Sequence, residues 1–197
     1  MKKLLTMMLL LVSLTAQAQD IDLFTGDCYL YNEMLDGSQL QELKLQYSIE
    51  DGYYYYIIES EKIMLSLTGE HNETFIANCE KYLEWCDIAN SKNITIQKDI
   101  PDLTIENCGL VFDWCNEFYV SKTCFVYFKF FSIKEQDHYL TLHTNKAVSY
   151  NNDYIDCQIK GLYLPLKTVN GIMEGMATRE AKIIEFEALE NNDDLFK

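Results

Sequence analysis

Leu43-Lys44-Leu45-Gln46-Tyr47-Ser48-Ile49-Glu50-Asp51-Gly52-Tyr53-Tyr54-Tyr55-Tyr56-Ile57-Ile58 is the stretch that decides the fold class. Leu43, Leu45, Tyr47 and Ile49 alternate with Lys44, Gln46 and Ser48, the period-two pattern of a strand with one buried face. Asp51-Gly52 tolerates the backbone of a tight hairpin turn, and Tyr53 to Ile58 runs back. Ile63, Leu65 and Leu67 alternate again up to Gly69, so residues 40–69 read as a three-stranded antiparallel meander. Successive residues of a strand face opposite sides, so two of the four tyrosines must leave the core. Tyr54 and Tyr56 are assigned to the outward side as a candidate binding surface for a protein or a sugar ring. The alternative reading, which is preferred, makes this an edge strand with the tyrosines packed on the opposite layer or helix.

Beyond the meander the period changes. Phe75, Cys79, Tyr82, Cys86 and Ala89 recur at helical steps, with Asn72 placed as N-cap and Glu73 in the first turn, which predicts a helix over about 73–90. Ile94 to Gln97 is a short strand. Ile105, Cys108, Phe112, Cys115 and Tyr119 repeat the three-four rhythm and predict a second helix, although Gly109, Val111 and the aromatics also suit a strand. Cys124–Ile133, Tyr139–His143 and Tyr154–Leu164 read as strands, residues 166–178 as a helix weakened by Gly171 and Gly175, and Lys182–Leu189 as a closing strand. The expected class is α+β, with antiparallel sheet and two or three short helices in one domain spanning 19–190. A polar, disordered acidic tail, 191–197, follows it.

The succession Tyr127-Phe128-Lys129-Phe130-Phe131, Tyr139-Leu140-Thr141-Leu142, Leu162-Tyr163-Leu164-Pro165-Leu166, a short helix and Lys182-Ile183-Ile184-Glu185-Phe186-Glu187 resembles small exported β-rich proteins of unknown function from Gram-negative gut bacteria. The resemblance covers about residues 120–190, and it implies no activity and no site residues.

An internal repeat is the most specific feature. Ile76-x-Asn78-Cys79 leads to Glu84-Trp85-Cys86-Asp87, and Ile105-x-Asn107-Cys108 leads to Asp113-Trp114-Cys115-Asn116, both copies fitting I-x-N-C-x4-[DE]-W-C-[DN]. Two equivalent units are expected from it. Within one helix the two cysteines of a copy lie on one stripe but roughly 10 Å apart along the axis. That exceeds the separation of about 4.4 to 6.8 Å a disulfide allows between Cα atoms. Two helices side by side would instead be stapled by Cys79–Cys115 and Cys86–Cys108 if antiparallel, the preferred arrangement, or by Cys79–Cys108 and Cys86–Cys115 if parallel. Six intervening residues do not suit a zinc site and no Cys-x-x-Cys occurs, so no metal and no cofactor is expected.

Residues 1–18 have the three parts of an export leader: Lys2 and Lys3, the apolar run Leu4–Leu14, and Ala16-Gln17-Ala18 before the cleavage point. The apolar run is roughly half the ~20 residues of a membrane span. A periplasmic or secreted protein with no membrane insertion after cleavage is expected. Seven cysteines in an oxidising compartment then favour disulfides, with one left over. The formal net charge is −15, more negative by two once the leader lysines go, and Arg179 is the only arginine. Such a chain repels phosphate backbones, which excludes nucleic acid and leaves solubility or a basic partner as the role of the charge. His71, His138 and His143 form no local catalytic signature with any cysteine, and no phosphate loop or nucleophile elbow is present. The expected function is therefore a non-catalytic exported module that binds a macromolecule, as an inhibitor or immunity-like partner of a basic protein. The alternatives are a glycan-binding, envelope-associated protein and a cysteine-dependent enzyme.

Overall fold

A computed structural model describes residues 20–121, 123–133 and 137–194, the last helical residues as backbone only. The leader, residues 1–18, and the final three residues of the expected tail lie outside the described residues. In chain order the elements are β1 (Asp20–Asn32), β2 (Gly37–Ser48), β3 (Tyr54–Ile58), β4 (Ile63–Leu67), α1 (Gly69–Lys92), β5 (Ile96–Asp99), β6 (Ile105–Trp114), β7 (Glu117–Val120), β8 (Cys124–Ile133), β9 (Asp137–Thr144), β10 (Ala147–Val148), β11 (Asp156–Cys157), β12 (Leu162–Pro165) and α2 (Leu166–Asp194).

Eight strands in the order β8-β9-β12-β1-β2-β3-β4-β6 form a sheet that closes on itself through pairing of β6 with β8, and every seam is antiparallel. β5 continues along the open part of β8, β7 pairs with β6 as a hairpin, and β10 and β11 make a separate small ladder. The barrel follows from alternation: Leu43 and Leu45, Tyr54, Tyr56 and Ile58, Leu65 and Leu67, Leu110 and Phe112, Val126, Phe128 and Phe130, Leu140 and Leu142, and Leu162 and Leu164 are all buried. An eight-stranded barrel is just wide enough for side chains to fill. The interior fits that size, since the cavity lined by Leu43, Tyr56, Leu65, Phe75, Val126 and Leu164 is only about 20 Å³ and almost wholly apolar.

α1 lies across the barrel mouth. Phe75 stacks on Tyr56 from one wall and meets Phe128 edge-on from another, with ring centroids 4.5 and 5.6 Å away. Tyr82 packs on Phe130 and donates to the His138 carbonyl at 2.7 Å. Thr68, not Asn72, is the N-cap, its hydroxyl accepting the His71 N–H at 3.3 Å. Asn72 lies one turn inside the helix, buried, and accepts the Tyr56 hydroxyl at 2.7 Å. α2 runs beside it, and Asn72 reaches the Met176 sulphur at 3.6 Å.

Three local expectations are corrected. The second repeat copy is a β-hairpin, β6–β7, and not a helix, because alternation buries Cys108, Leu110 and Phe112 together. Cys115 and Asn116, both at positive φ (55° and 65°), make its two-residue turn. The two copies of the motif are therefore not equivalent units. Residues 182–189 continue α2 as helix: Arg179, Lys182, Ile183 and Phe186 form its half-buried stripe, and their backbone bonds run along the helix. The same helix carries the backbone of the expected disordered tail to Asp194. Gly171 and Gly175, which weaken α2 in isolation, permit its close contact with β1. A Cβ on Gly175 would sit 2.6 Å from the Leu23 carbonyl oxygen, and one on Gly171 would enter the Phe24 ring. β1 bulges there, between Asp22 and Phe24, and Lys182 donates to the Asp22 and Leu23 carbonyls at 2.8 and 3.1 Å.

Candidate functional site

The four consecutive tyrosines divide with the opposite parity to the candidate binding surface: Tyr56 packs on Phe75 of the helix, in keeping with the preferred reading, although β3 is an interior strand and not an edge. Tyr54 and Tyr56 face inward and are only 3% and 4% exposed, so neither forms a surface. Tyr54 accepts a hydrogen bond from Arg179, whose guanidinium also lies over the Tyr47 and Tyr54 rings. Tyr53 and Tyr55 point outward, their rings parallel within 10° and their centroids 6.4 Å apart.

These two rings form one wall of a groove of about 470 Å³ on the outer face of the barrel, lined also by Asp51, Met64, Ser66, Thr68, His71, Asn107, Cys108, Gly109, Val111 and Val120. Strand register builds it. Tyr55 lies opposite Ser66 and Ser66 opposite Gly109, while Ile57, Met64, Val111 and Val120 make the neighbouring cross-strand row. Gly109 keeps the floor low, because a Cβ there would approach the Ser66 Cβ to 3.2 Å. Asn107, at φ 59°, forms an irregular step of β6 at the rim.

One end of the groove is anionic. Burial and the carboxylates of Asp51 and Asp20 push the Tyr55 phenol up to about 12. Asp20 is itself raised above the ordinary carboxylate value, first by burial and then by repulsion from Asp51 and Asp22, against the lowering effects of Ser48 and Lys44. Its Oδ1 is buried and has no hydrogen-bond partner among the described residues. Lys44, the nearby cation, is engaged with Asp22 at 3.1 Å. Two crowded carboxylates beside one exposed and one half-buried aromatic ring are suited to a cation, which gains both an ion pair and a ring face.

A larger cleft of about 1140 Å³ lies between β1 and α2, lined by Phe24, Thr25, Asp27, Lys167, Glu174 and Lys182 among others. Its Lys182 ammonium is already held by the β1 carbonyls and serves the helix–strand contact.

The disulfide candidates are not brought together as expected. Cys79 and Cys86 are buried on the inner face of α1, Cys108 is buried in β6, and Cys115 is exposed at the β6–β7 turn. The stapled helix pair fails because its second helix does not exist, and all seven cysteines are unbridged. Burial pushes the Cys28 thiol up to about 12 and the Cys86 and Cys157 thiols to about 11, and raises Cys79 further. Such thiols are poor nucleophiles. His138 is buried against Phe130 with Nε2 2.8 Å from Asn90 Oδ1, and His143 stacks on Tyr127. Burial lowers both imidazoles below their ordinary value. Among the described residues no three His, Cys, Asp or Glu side chains gather as a metal ion would require, and no helix is long and apolar enough to cross a membrane.

Comparison with family models, curated proteins and solved structures returns no match. The site therefore stands on its own geometry. Sequence reasoning passed over Tyr53, Tyr55, Asp51 and Asp20. The parity was nonetheless available: folding Leu43, Leu45 and Tyr47 back through a turn centred between residues 50 and 51 sets them opposite Ile58, Tyr56 and Tyr54.

Proposed function

We propose that this chain is an exported, non-catalytic binding module whose outer groove takes a lysine- or arginine-bearing segment of a basic partner protein. The observation that carries the reading is the pairing of Tyr53 and Tyr55 with the crowded carboxylates of Asp20 and Asp51, one oxygen of which is buried and unpartnered. The groove volume is within the ~300–1,000 Å³ of ligand sites. The net charge of −15 would steer a basic partner towards it. Export rests on the leader at residues 1–18, and the periplasm or the exterior is the matching compartment.

The test is calorimetric titration with a short oligoarginine peptide in low and high salt. Screening lengths fall from about 30 Å at 0.01 M to about 3 Å at 1 M, so a groove-directed cation binds at low salt and weakens as salt rises. Asp51→Asn and Tyr55→Ser should each reduce binding, while charge removal at distant Glu185→Gln leaves it unchanged. Equal loss in all three variants would show diffuse attraction to an acidic surface and refute the groove.

A glycan is the second reading, supported by the parallel tyrosine rings beside Ser66 and Asn107, which offer apolar faces and hydrogen-bonding groups together. Glycan-array binding lost in Tyr53→Ser and Tyr55→Ser, but not in Asp51→Asn, distinguishes it from the cation reading.

A further inference from the structure

We propose that Cys108 and Cys124 are a disulfide-forming pair that locks the seam where the barrel closes. They are direct partners across β6 and β8. Opposed residues of an antiparallel pair have Cα atoms about 4.5 to 5.5 Å apart, inside the range of about 4.4 to 6.8 Å that a disulfide accepts. Both side chains are buried, and the Cys108 thiol donates to the Cys124 carbonyl at 3.3 Å.

The position is where a covalent link changes most. Among the described residues only two pairs, Ile105 with Val126 and Cys108 with Cys124, register across this seam, and the ladder is irregular between them at Asn107. β1 and β2, by contrast, pair along nearly their whole length. Cys108 also lines the outer groove, and a seam with so few bonds opens locally more readily than the rest of the barrel, which admits an oxidant to the pair. The remaining cysteines lack such a partner: Cys28 is in β1, Cys79 and Cys86 are two turns apart on α1, and Cys115 is at a hairpin tip. Cys157 of β11, which acts electrostatically on Cys124, is the nearest competitor. The Cys124 side chain, hydrogen-bonded to the Cys108 sulphur, lowers Cys108 relative to an ordinary thiol against the opposing effect of burial, which marks Cys108 as the attacking sulphur.

The reaction is exchange with a small or protein-borne disulfide. The Cys108 thiolate attacks one sulphur of the carrier and releases the first carrier thiol. Cys124 then attacks Cys108 in the mixed disulfide and releases the second. The two cysteines lose two electrons and two protons, which the carrier disulfide takes up as it becomes two thiols.

The test starts from reduced, folded protein treated with oxidised glutathione, alkylated and digested without reductant. The expected product has lost two hydrogen atoms, carries five alkylated thiols, and yields one cross-linked peptide pair holding Cys108 and Cys124. Cys108→Ser and Cys124→Ser each abolish that link, whereas Cys79→Ser and Cys115→Ser retain it. Hydrogen exchange should slow at least about tenfold at Leu110 and Val126 on oxidation. Seven alkylated thiols after this treatment, or a link from Cys124 to Cys157, would overturn the inference. The wild-type peptide map decides it even where a serine variant fails to fold.

Discussion

Truncating Tyr53, Tyr54, Tyr55 and Tyr56 one at a time to alanine should produce an alternating pattern of stability. Tyr56 is only 4% exposed, stacks on Phe75 and donates its hydroxyl to buried Asn72. Removing a buried aromatic ring costs about 3–5 kcal/mol, and more when the partner of its hydroxyl is left unsatisfied. In a domain of this size each kcal/mol lowers the midpoint by roughly 2–4 °C, so Tyr56→Ala should lower Tm by about 6–20 °C. Tyr54→Ala should belong to the same class, because it strands the Arg179 guanidinium that bonds it. Tyr53 and Tyr55 stand on the outer face, so their alanine variants should stay within about 1 kcal/mol of the parent. Tyr56→Phe separates the two parts of the Tyr56 effect: it keeps the ring and should lose only about 1–3 kcal/mol for the orphaned Asn72 oxygen. Thermal and urea melts followed by near-ultraviolet circular dichroism give the four values. Large losses at Tyr53 and Tyr55 with small ones at Tyr54 and Tyr56 would reverse the strand parity and remove the groove with it.

Gly175→Ala should destabilise despite better helix propensity, since overpacking against the Leu23 carbonyl costs about 1–3 kcal/mol against a gain near 1. Gly69→Ala, with nothing within 4 Å, should be neutral or stabilising in the same melt. Asp20 has a raised folded pKa, so the stability it contributes is full below its unfolded value of 3.8 and is lost as pH rises through the folded value. Asp20→Asn should therefore be more stable than the parent at pH near 7 in urea titrations, and a loss would refute the crowding. His138 has a lowered pKa, so its contribution is full above 6.5 and is lost as pH falls through the folded value. His138→Gln should flatten the acid side of a stability-against-pH curve.

The meander from Leu43 to Leu67 and the helix around Phe75–Ala89 were legible because a single face of each is apolar at a clean period. β8 and β9 were legible for the same reason. β1 was not read at all: its bulge between Asp22 and Phe24 breaks the alternation, and Gly26 with polar Thr25 and Asp27 interrupts the apolar face. The second repeat copy misled because Ile105, Cys108, Phe112 and Cys115 satisfy helical spacing. The positive-φ step at Asn107 shifts the strand's parity and brings Ile105 and Cys108 to the same side. Barrel closure could not be read, because it depends on pairing of β6 with β8 through two residue pairs with no local signature. The groove was hidden for a related reason. Its walls come from β3, β4, β6 and β7, and only register places Ser66 beside both Tyr55 and Gly109.

Selective labelling of tyrosine rings, followed by nuclear magnetic resonance during titration with the oligoarginine peptide, tests the binding face most directly. The ring signals of Tyr53 and Tyr55 should move together and saturate, while those of Tyr150 and Tyr154, 71% and 94% exposed outside the groove, stay in place. Equal movement at all four rings, or movement at Tyr150 and Tyr154 alone, would contradict the assignment of the groove as the site.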